Sequence, residues 1–358
     1  MKHQHIIVLL LTIFFLIPNT YSQKKKKIKA NIITTLNRND PGLFGKRDVI
    51  DVKIYTDLKK LFSDVSDSAK YHRAILQYTN SDSTTTTLKV KARTRGNFRR
   101  KPTTCNLPPI KLKISKKQSK GSIFEGYKEL KIVNQCRLYR ANYQEYLFQE
   151  YLIYEYYTLL TQFSLRVRLM RITYIDTTDD TQLSRFAFFI EPEENMALRN
   201  HSEVIKTEDA LPEDLRESHL TMLSLFEFMI MNTDFSIPLL HNIRTVKPDN
   251  SDKLIAVPYD FDWSEIINIP YRYNQFTIDE DKIPKRIYTG NCPTEKTIKE
   301  IVRFFNIYKN SIKKLNNEFD YLSEKTRKQN NDHISDFYKI INSPRQLRKN
   351  ILTKCKKP

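Results

Sequence analysis

Residues 142–160 read NYQEYLFQEYLIYEYYTLL, and this stretch decides the fold class. Apolar and aromatic side chains fall on nearly every side of a 3.6-residue wheel. A helix of that kind belongs between other elements, not on a surface. The segments before it are of another type. Residues 49–55, 71–78 and 86–95 are rich in β-branched and aromatic residues, with Ser, Asn and Asp turns between them, and are expected as strands. Ile110–Ile114 alternates apolar residues with lysine, so Lys111 and Lys113 share one face and Ile110, Leu112 and Ile114 the other. Residues 130–133 make another short strand. After the helix, 166–175 and 185–190 return to strand periodicity.

The second half is expected to be mainly helical, with helices at 213–231 and 297–315. Pro212 and the acids after it suit a helix start. Strands, one embedded helix, more strands and then helices give an α+β class. Two lobes are expected to meet near residue 192: a β-rich N-lobe at 48–192 and a mainly helical C-lobe at 193–358. Six glycines leave little room for long flexible linkers, and no internal repeat is present.

The N-terminus carries an address. Lys2 precedes the uncharged run IIVLLLTIFFLI at 6–17, Pro18-Asn19 breaks it, and Thr20-Tyr21-Ser22 places small residues before Gln23. That layout is a cleavable secretory signal at 1–22, followed by a basic segment at 23–47. The run is shorter than the ~20 residues of a membrane span. An exported chain is expected, periplasmic, on the cell surface or secreted, with no transmembrane anchor after cleavage. Four cysteines allow three pairings in an oxidising compartment. Cys105–Cys136 is the expected one, because each borders a strand of the same region. The net charge is +19, yet the lysines are scattered except at 24–27 and in the 354–357 tail, and no nucleic-acid-binding motif accompanies them. A solvated basic surface is favoured over a nucleic-acid site.

The chemistry is concentrated in residues 232–263, NTDFSIPLLHNIRTVKPDNSDKLIAVPYDFDW. An apolar helix ends at Asn232-Thr233-Asp234, His241-Asn242 follows, and a short strand at 254–257 delivers Tyr259-Asp260-Phe261-Asp262. One acid to take a hydroxyl proton, with an Asn and further acids as hard oxygen ligands, suits Mg²⁺- or Mn²⁺-dependent phosphoryl transfer. Phosphate also needs a cation from the strands, for which Lys111 and Lys113 are rivals. A carboxylate on the buried helix, Glu145 or Glu150, would fix such a lysine.

In order, Arg95-Gly96-Asn97, the basic strand 108–113, Leu130-Lys131-Ile132-Val133-Asn134, the tyrosine-rich helix, Phe189-Ile190-Glu191, Asn232-Thr233-Asp234 with His241-Asn242, and Tyr259-Asp260-Phe261-Asp262-Trp263 resemble an exported bacterial branch of the spore-coat CotH-like atypical kinases. The resemblance covers roughly residues 48–270. It implies a two-lobed atypical protein-kinase-like fold, ATP with Mg²⁺ or Mn²⁺, and transfer of phosphate to a hydroxyl of an envelope or secreted protein. By position it makes Asp234 the catalytic base and Asn242 and Asp260 metal ligands, with Asp262 a second candidate ligand and Glu191 a nucleotide or hinge contact; Lys111 and Lys113 remain rivals for the nucleotide lysine. The chain departs from the pattern in lacking a glycine-rich loop, and its Asp234-to-Asn242 gap exceeds that of ordinary protein kinases. A degenerate envelope-binding module and a nucleotidyl transferase stay open as alternatives.

Overall fold

The structure, a computed structural model, describes residues 42–206, 208–275 and 286–357. The expected signal at 1–22 and most of the basic segment lie outside the described residues. Seven strands form the first part: β1 (Ile50–Thr56), β2 (His72–Thr79), β3 (Thr85–Thr94), β4 (Ile110–Ile114), β5 (Glu129–Asn134), β6 (Val167–Asp176) and β7 (Gln182–Ile190). Short helices α1 (Leu58–Ser63) and α2 (Lys116–Ser119) and the long α3 (Asn142–Leu160) lie between them. The strand order β1-β2-β3-β4-β5-β7-β6 closes on itself. The closing pair is the parallel one, from Ile50 opposite Met170 to Thr56 opposite Asp176.

Alternation along each strand fills the barrel. Val52, Ile54, Leu76, Leu88, Val90, Leu112, Ile132 and Phe189 point inward and are fully or almost fully buried, with Phe124 and Leu61 packed among the same cluster. Many outward residues are polar, Ile75 of β2 being an exposed exception, and α3 covers the outer face of β7. There Phe148 lies 5.1 Å from Phe186, and Tyr151 and Tyr154 lie 6.0 and 5.9 Å from Phe188, centroid to centroid. The other sides of α3 meet the C-terminal elements, with Tyr154 against Phe261 at 4.8 Å and Tyr157 against Phe226 at 4.7 Å. Its all-round apolarity is thus matched by neighbours all round.

The C-terminal part comprises α4 (Glu193–Arg199), β8 (Ser202–Ile205), α5 (Glu217–Ile230), β9 (Ile243–Pro248), β10 (Ile255–Pro258), α6 (Glu295–Asn317), α7 (Glu324–Ile341) and α8 (Pro344–Leu347). Strands β10-β9-β8 form a small antiparallel sheet. The expected helix at 213–231 starts late. Leu254 N–H bonds Asp214 O at 2.8 Å and Arg216 N–H bonds Leu254 O at 3.0 Å, which holds 214–216 extended and leaves a separate 3₁₀ turn at Pro212–Asp214.

The expected two-lobed kinase-like fold, an α+β arrangement with a β-rich N-lobe and a mainly helical C-lobe, is corrected by this structure. The strands close into a mixed barrel, because β1 pairs with β2 on one edge and with β6 on the other, leaving no open sheet edge. The helices follow C-terminal to it and share their packing with α3. The described residues belong to one compact unit.

Two disulfides are present, Cys105–Cys136 as expected and Cys292–Cys355, and they fit an exported, oxidised protein. Among the described residues no helix is long and apolar enough to cross a membrane. The second bridge ties the tail to the segment before α6, where Lys356 N–H bonds Gly290 O at 3.0 Å. The Cys105–Cys136 bridge spans 31 residues, so a Cys105→Ser/Cys136→Ser variant is expected to lose about 3 kcal/mol of stability by loop entropy. Urea unfolding of the two proteins checks this.

Candidate functional site

The site begins in the loop after β3. Gly96 turns the chain with φ +89°, and no atom lies within 4 Å of where a Cβ would stand, so backbone conformation alone favours glycine here. The loop returns beside the end of β5, where Asn106 and Leu107 N–H groups bond Cys136 O and the disulfide fixes the return. Arg99 is thereby carried inward to 9 % exposure. Its Nη1 donates to Glu150 of α3 at 3.0 Å, its Nη2 to Asp260, and its Nε lies 3.4 Å from Asp262. Tyr271 Oη donates to Asp262, and Asp260 N–H donates to Tyr154 Oη at 2.8 Å. Phe98 packs edge-on against Trp263 and Tyr271 over this cluster.

The three acids differ in charge state. Burial, reinforced by the neighbouring carboxylates, pushes Asp262 well above the usual carboxylate range. Burial raises Glu150 as well, with Asp260 adding to the effect against Arg99. Burial also acts on Asp260, but Arg99, Arg95 and Lys131 outweigh it and hold that carboxyl low. Asp260 is therefore the acid that stays ionised, and the region around it carries excess positive charge.

That positive charge has three further sources. Lys131 on the outer face of β5 is lowered to about 8 by burial and by Arg95 and Arg244. Its ammonium lies 5.2 Å from the Tyr259 ring centroid, and Arg244 covers the same ring at 4.4 Å. Arg244 also pairs with Glu193 at the start of α4. Arg95 is lowered by burial, feels the Asp260 charge, and among the described residues its Nε has no hydrogen-bond partner. Two cations over one tyrosine, with Arg95 beside the ionised Asp260, make a place for an anion.

Asp234 stands one turn of chain away. Helix α5 ends with Met231 at φ +57°, which redirects the backbone into Asn232-Thr233-Asp234. Ser236 and His241 exchange backbone bonds, folding the loop so that His241 Nε2 reaches Asp234 Oδ1 at 2.9 Å. Asn242 Nδ2 donates to Asp234 O at 2.8 Å and Oδ2 at 2.9 Å, and Asn242 O accepts from Tyr259 N–H at 3.0 Å. Two hydrogen bonds therefore connect Asp234 with the residue before Asp260. Behind the loop, Asn232 bonds both Asp234 N–H and the buried Glu227, whose carboxyl burial pushes up to about 8.

No protein-family model matches this chain, and no curated protein does.

The structure joins Asp234 to Asn242 directly and Asn242 to the backbone of Tyr259, next to Asp260, while Asp260, Asp262 and Glu150 meet at Arg99. The two lysines picked from β4 are engaged with other groups, although Lys111 stands opposite Lys131 in the sheet. Lys111 pairs with Glu129 at 2.9 Å, and Lys113 is exposed over the Tyr71 ring. The lysine in place is Lys131, whose alternation within LKIVN is the same signal that marked β4. Glu150 fixes an arginine, not a lysine. Glu145 instead accepts from Ser323 at the start of α7. Glu191 is 4 % exposed and clamped by Arg199 at 2.9 and 3.0 Å, so its carboxylate orders the end of β7. Asn242, Asp260 and Asp262 do not form a ready cation cage: both acids face Arg99, and among the described residues no group of three or more His, Cys, Asp or Glu gathers to hold a metal. The donor set does not fit a metal in this arrangement, and Arg99 supplies the cation there. A cleft of about 440 Å³ lined by Gln135, Tyr139, Arg171 and Phe186 lies elsewhere, outside β6 and β7.

Arg99→Met leaves three carboxylates facing one another and is expected to cost about 3–5 kcal/mol of stability, read by urea unfolding. Glu227 keeps its proton to about pH 8 when folded, whereas a glutamate in the unfolded chain releases it near 4.5. The stability it contributes is full below 4.5 and is lost as the pH rises through 8. Glu227→Gln removes that slope, so it is expected to melt above the wild type near pH 8 and equal to it near pH 4.5.

Proposed function

We propose that this chain is an exported phosphotransferase that moves the terminal phosphoryl group of ATP to a hydroxyl of an envelope or secreted protein. The observation that carries the reading is the pair Lys131 and Arg244 over the Tyr259 ring, with Arg95 adding its charge at ionised Asp260, two hydrogen bonds from Asp234. A polyphosphate meets the cations, which hold and neutralise its charge as it grows on the leaving group. The acceptor oxygen forms the new P–O bond, the bridging P–O bond breaks to release the diphosphate, and Asp234 takes the hydroxyl proton. His241 and Asn242 aim that carboxylate. The motif resemblance described above points to the same chemistry, without its fold. No step here is assigned to a metal.

A second reading, a non-catalytic module that binds a phosphate-bearing ligand, is favoured by one observation: Arg99 already engages Asp260 and Asp262.

The purified protein, γ-labelled ATP and a panel of peptides containing Ser, Thr or Tyr separate the two. Label transfer is expected, and Asp234→Asn should lower it by about 10²–10⁴-fold while the ATP-induced rise in melting temperature persists. Lys131→Met is expected to weaken ATP binding. Wild-type affinity for ATP should fall as the pH rises through about 8, where Lys131 loses its proton. A thermal shift without transfer establishes the second reading, and neither shift nor transfer overturns both.

A further inference from the structure

The outer face of the barrel repeats one charge across its strands. Register places Arg73 of β2 opposite Lys91 of β3, and Lys91 opposite Lys113 of β4. In the next row Arg93 of β3 faces Lys111 of β4, and Lys111 faces Lys131 of β5. Four directly opposed pairs are thus cation against cation, an arrangement that destabilises antiparallel sheets. Arg73, Lys91 and Lys113 are exposed. Glu129 is the acid in these two rows, and it is already bonded to Tyr71 Oη at 2.7 Å and to Lys111. The second row runs directly into the site, because its last member is Lys131, over the Tyr259 ring.

We infer that these rows are a docking track for an extended acidic segment of the protein substrate, leading its hydroxyl to Asp234; this rests on the phosphotransferase reading. An extended peptide presents alternate side chains about 6.6 Å apart on one face, the spacing that separates Lys91 from Arg93 and Lys113 from Lys111, so a segment rich in Asp and Glu laid along these strands meets cations of both rows. Opposed like charges are relieved when carboxylates enter between them. A single-stranded nucleic acid fits less well, since its bases need open aromatic platforms. The aromatic beside these rows, Tyr71, is covered by Arg93 at 4.9 Å and flanked by Lys113 at 5.7 Å.

The test uses the purified protein and a fluorescein-labelled deca-glutamate peptide, with deca-glutamine, an oligothymidylate and vesicles containing phosphatidylglycerol as alternatives. Lys91→Glu reverses the central charge of the first row, and Lys328→Glu reverses an exposed lysine on α7. Deca-glutamate is expected to bind the wild type and Lys328→Glu alike, and Lys91→Glu about tenfold more weakly. ATP-induced stabilisation should be the same in all three. The melting temperature of Lys91→Glu should rise, because two like-charge pairs become opposite-charge pairs. Tighter binding of the oligothymidylate or the vesicles, equal loss in Lys328→Glu, or a fall in the melting temperature of Lys91→Glu overturns the inference. If ATP binds and transfers its label while deca-glutamate does not bind, the track is wrong and the phosphotransferase reading stands.

Discussion

Everything in this protein is organised around where Arg99 is allowed to go. Its guanidinium joins a loop of the barrel to α3 and to the segment after β10, reinforcing the packing of Tyr154 on Phe261 and of Phe98 on Trp263. Such a buried cluster is costly to desolvate, and its net effect on stability is small or even unfavourable beside a packed apolar alternative. What it confers is placement. The acids from two elements converge on one cation, and Asp260 is left ionised toward the open side, next to Lys131 and Arg95. A hydrophobic replacement would hold the parts together without creating that difference among the three carboxyls.

Much of the fold was legible because it depends on local periodicity. The strands β1 to β7 and the helix α3 follow the alternation and the all-round apolarity of their residues. Closure of the barrel was not, since it rests on Ile50 finding Met170, and no pattern within either strand records that pairing. Short, half-polar β8 and β9 were hidden for the same reason: SEVI and IRTVKP become strands by pairing with each other and with β10. In the candidate site, Asp234, Asn242 and Asp260 were singled out because turn-forming polar residues after a helix and after a strand stand out. Lys131 was passed over because its strand resembles β4, and only the twist of the barrel decides which lysine turns toward Tyr259. Arg99 left no signal beyond its place in RGNFRR, since burial of an arginine is written in the acids that receive it.

The chemistry of the site is a matter of charge balance more than of any single residue. Raising Glu150 and Asp262 toward their neutral forms shifts the whole region positive without adding a cation. Lowering Lys131 toward neutrality limits that excess from the other side. An anion beside Lys131 would favour its charged form, so binding there would be coupled to proton uptake. The loop carrying Asp234 is tied to the same balance through Asn242 and Tyr259, and through Asn232 to Glu227 at its back.

The parallel pairing of β1 with β6 has a consequence for how the chain comes together. A protein made from its N-terminus exposes the open edge of β1 until Val167–Asp176 has emerged, and every intervening strand must be in place before the ring can shut. Contacts this distant in sequence slow folding, and an unpaired edge invites association with other chains meanwhile. The 105–136 disulfide lies wholly inside that interval. It is able to form first, and so to shorten the wandering of the chain before the last seam of the barrel is sewn.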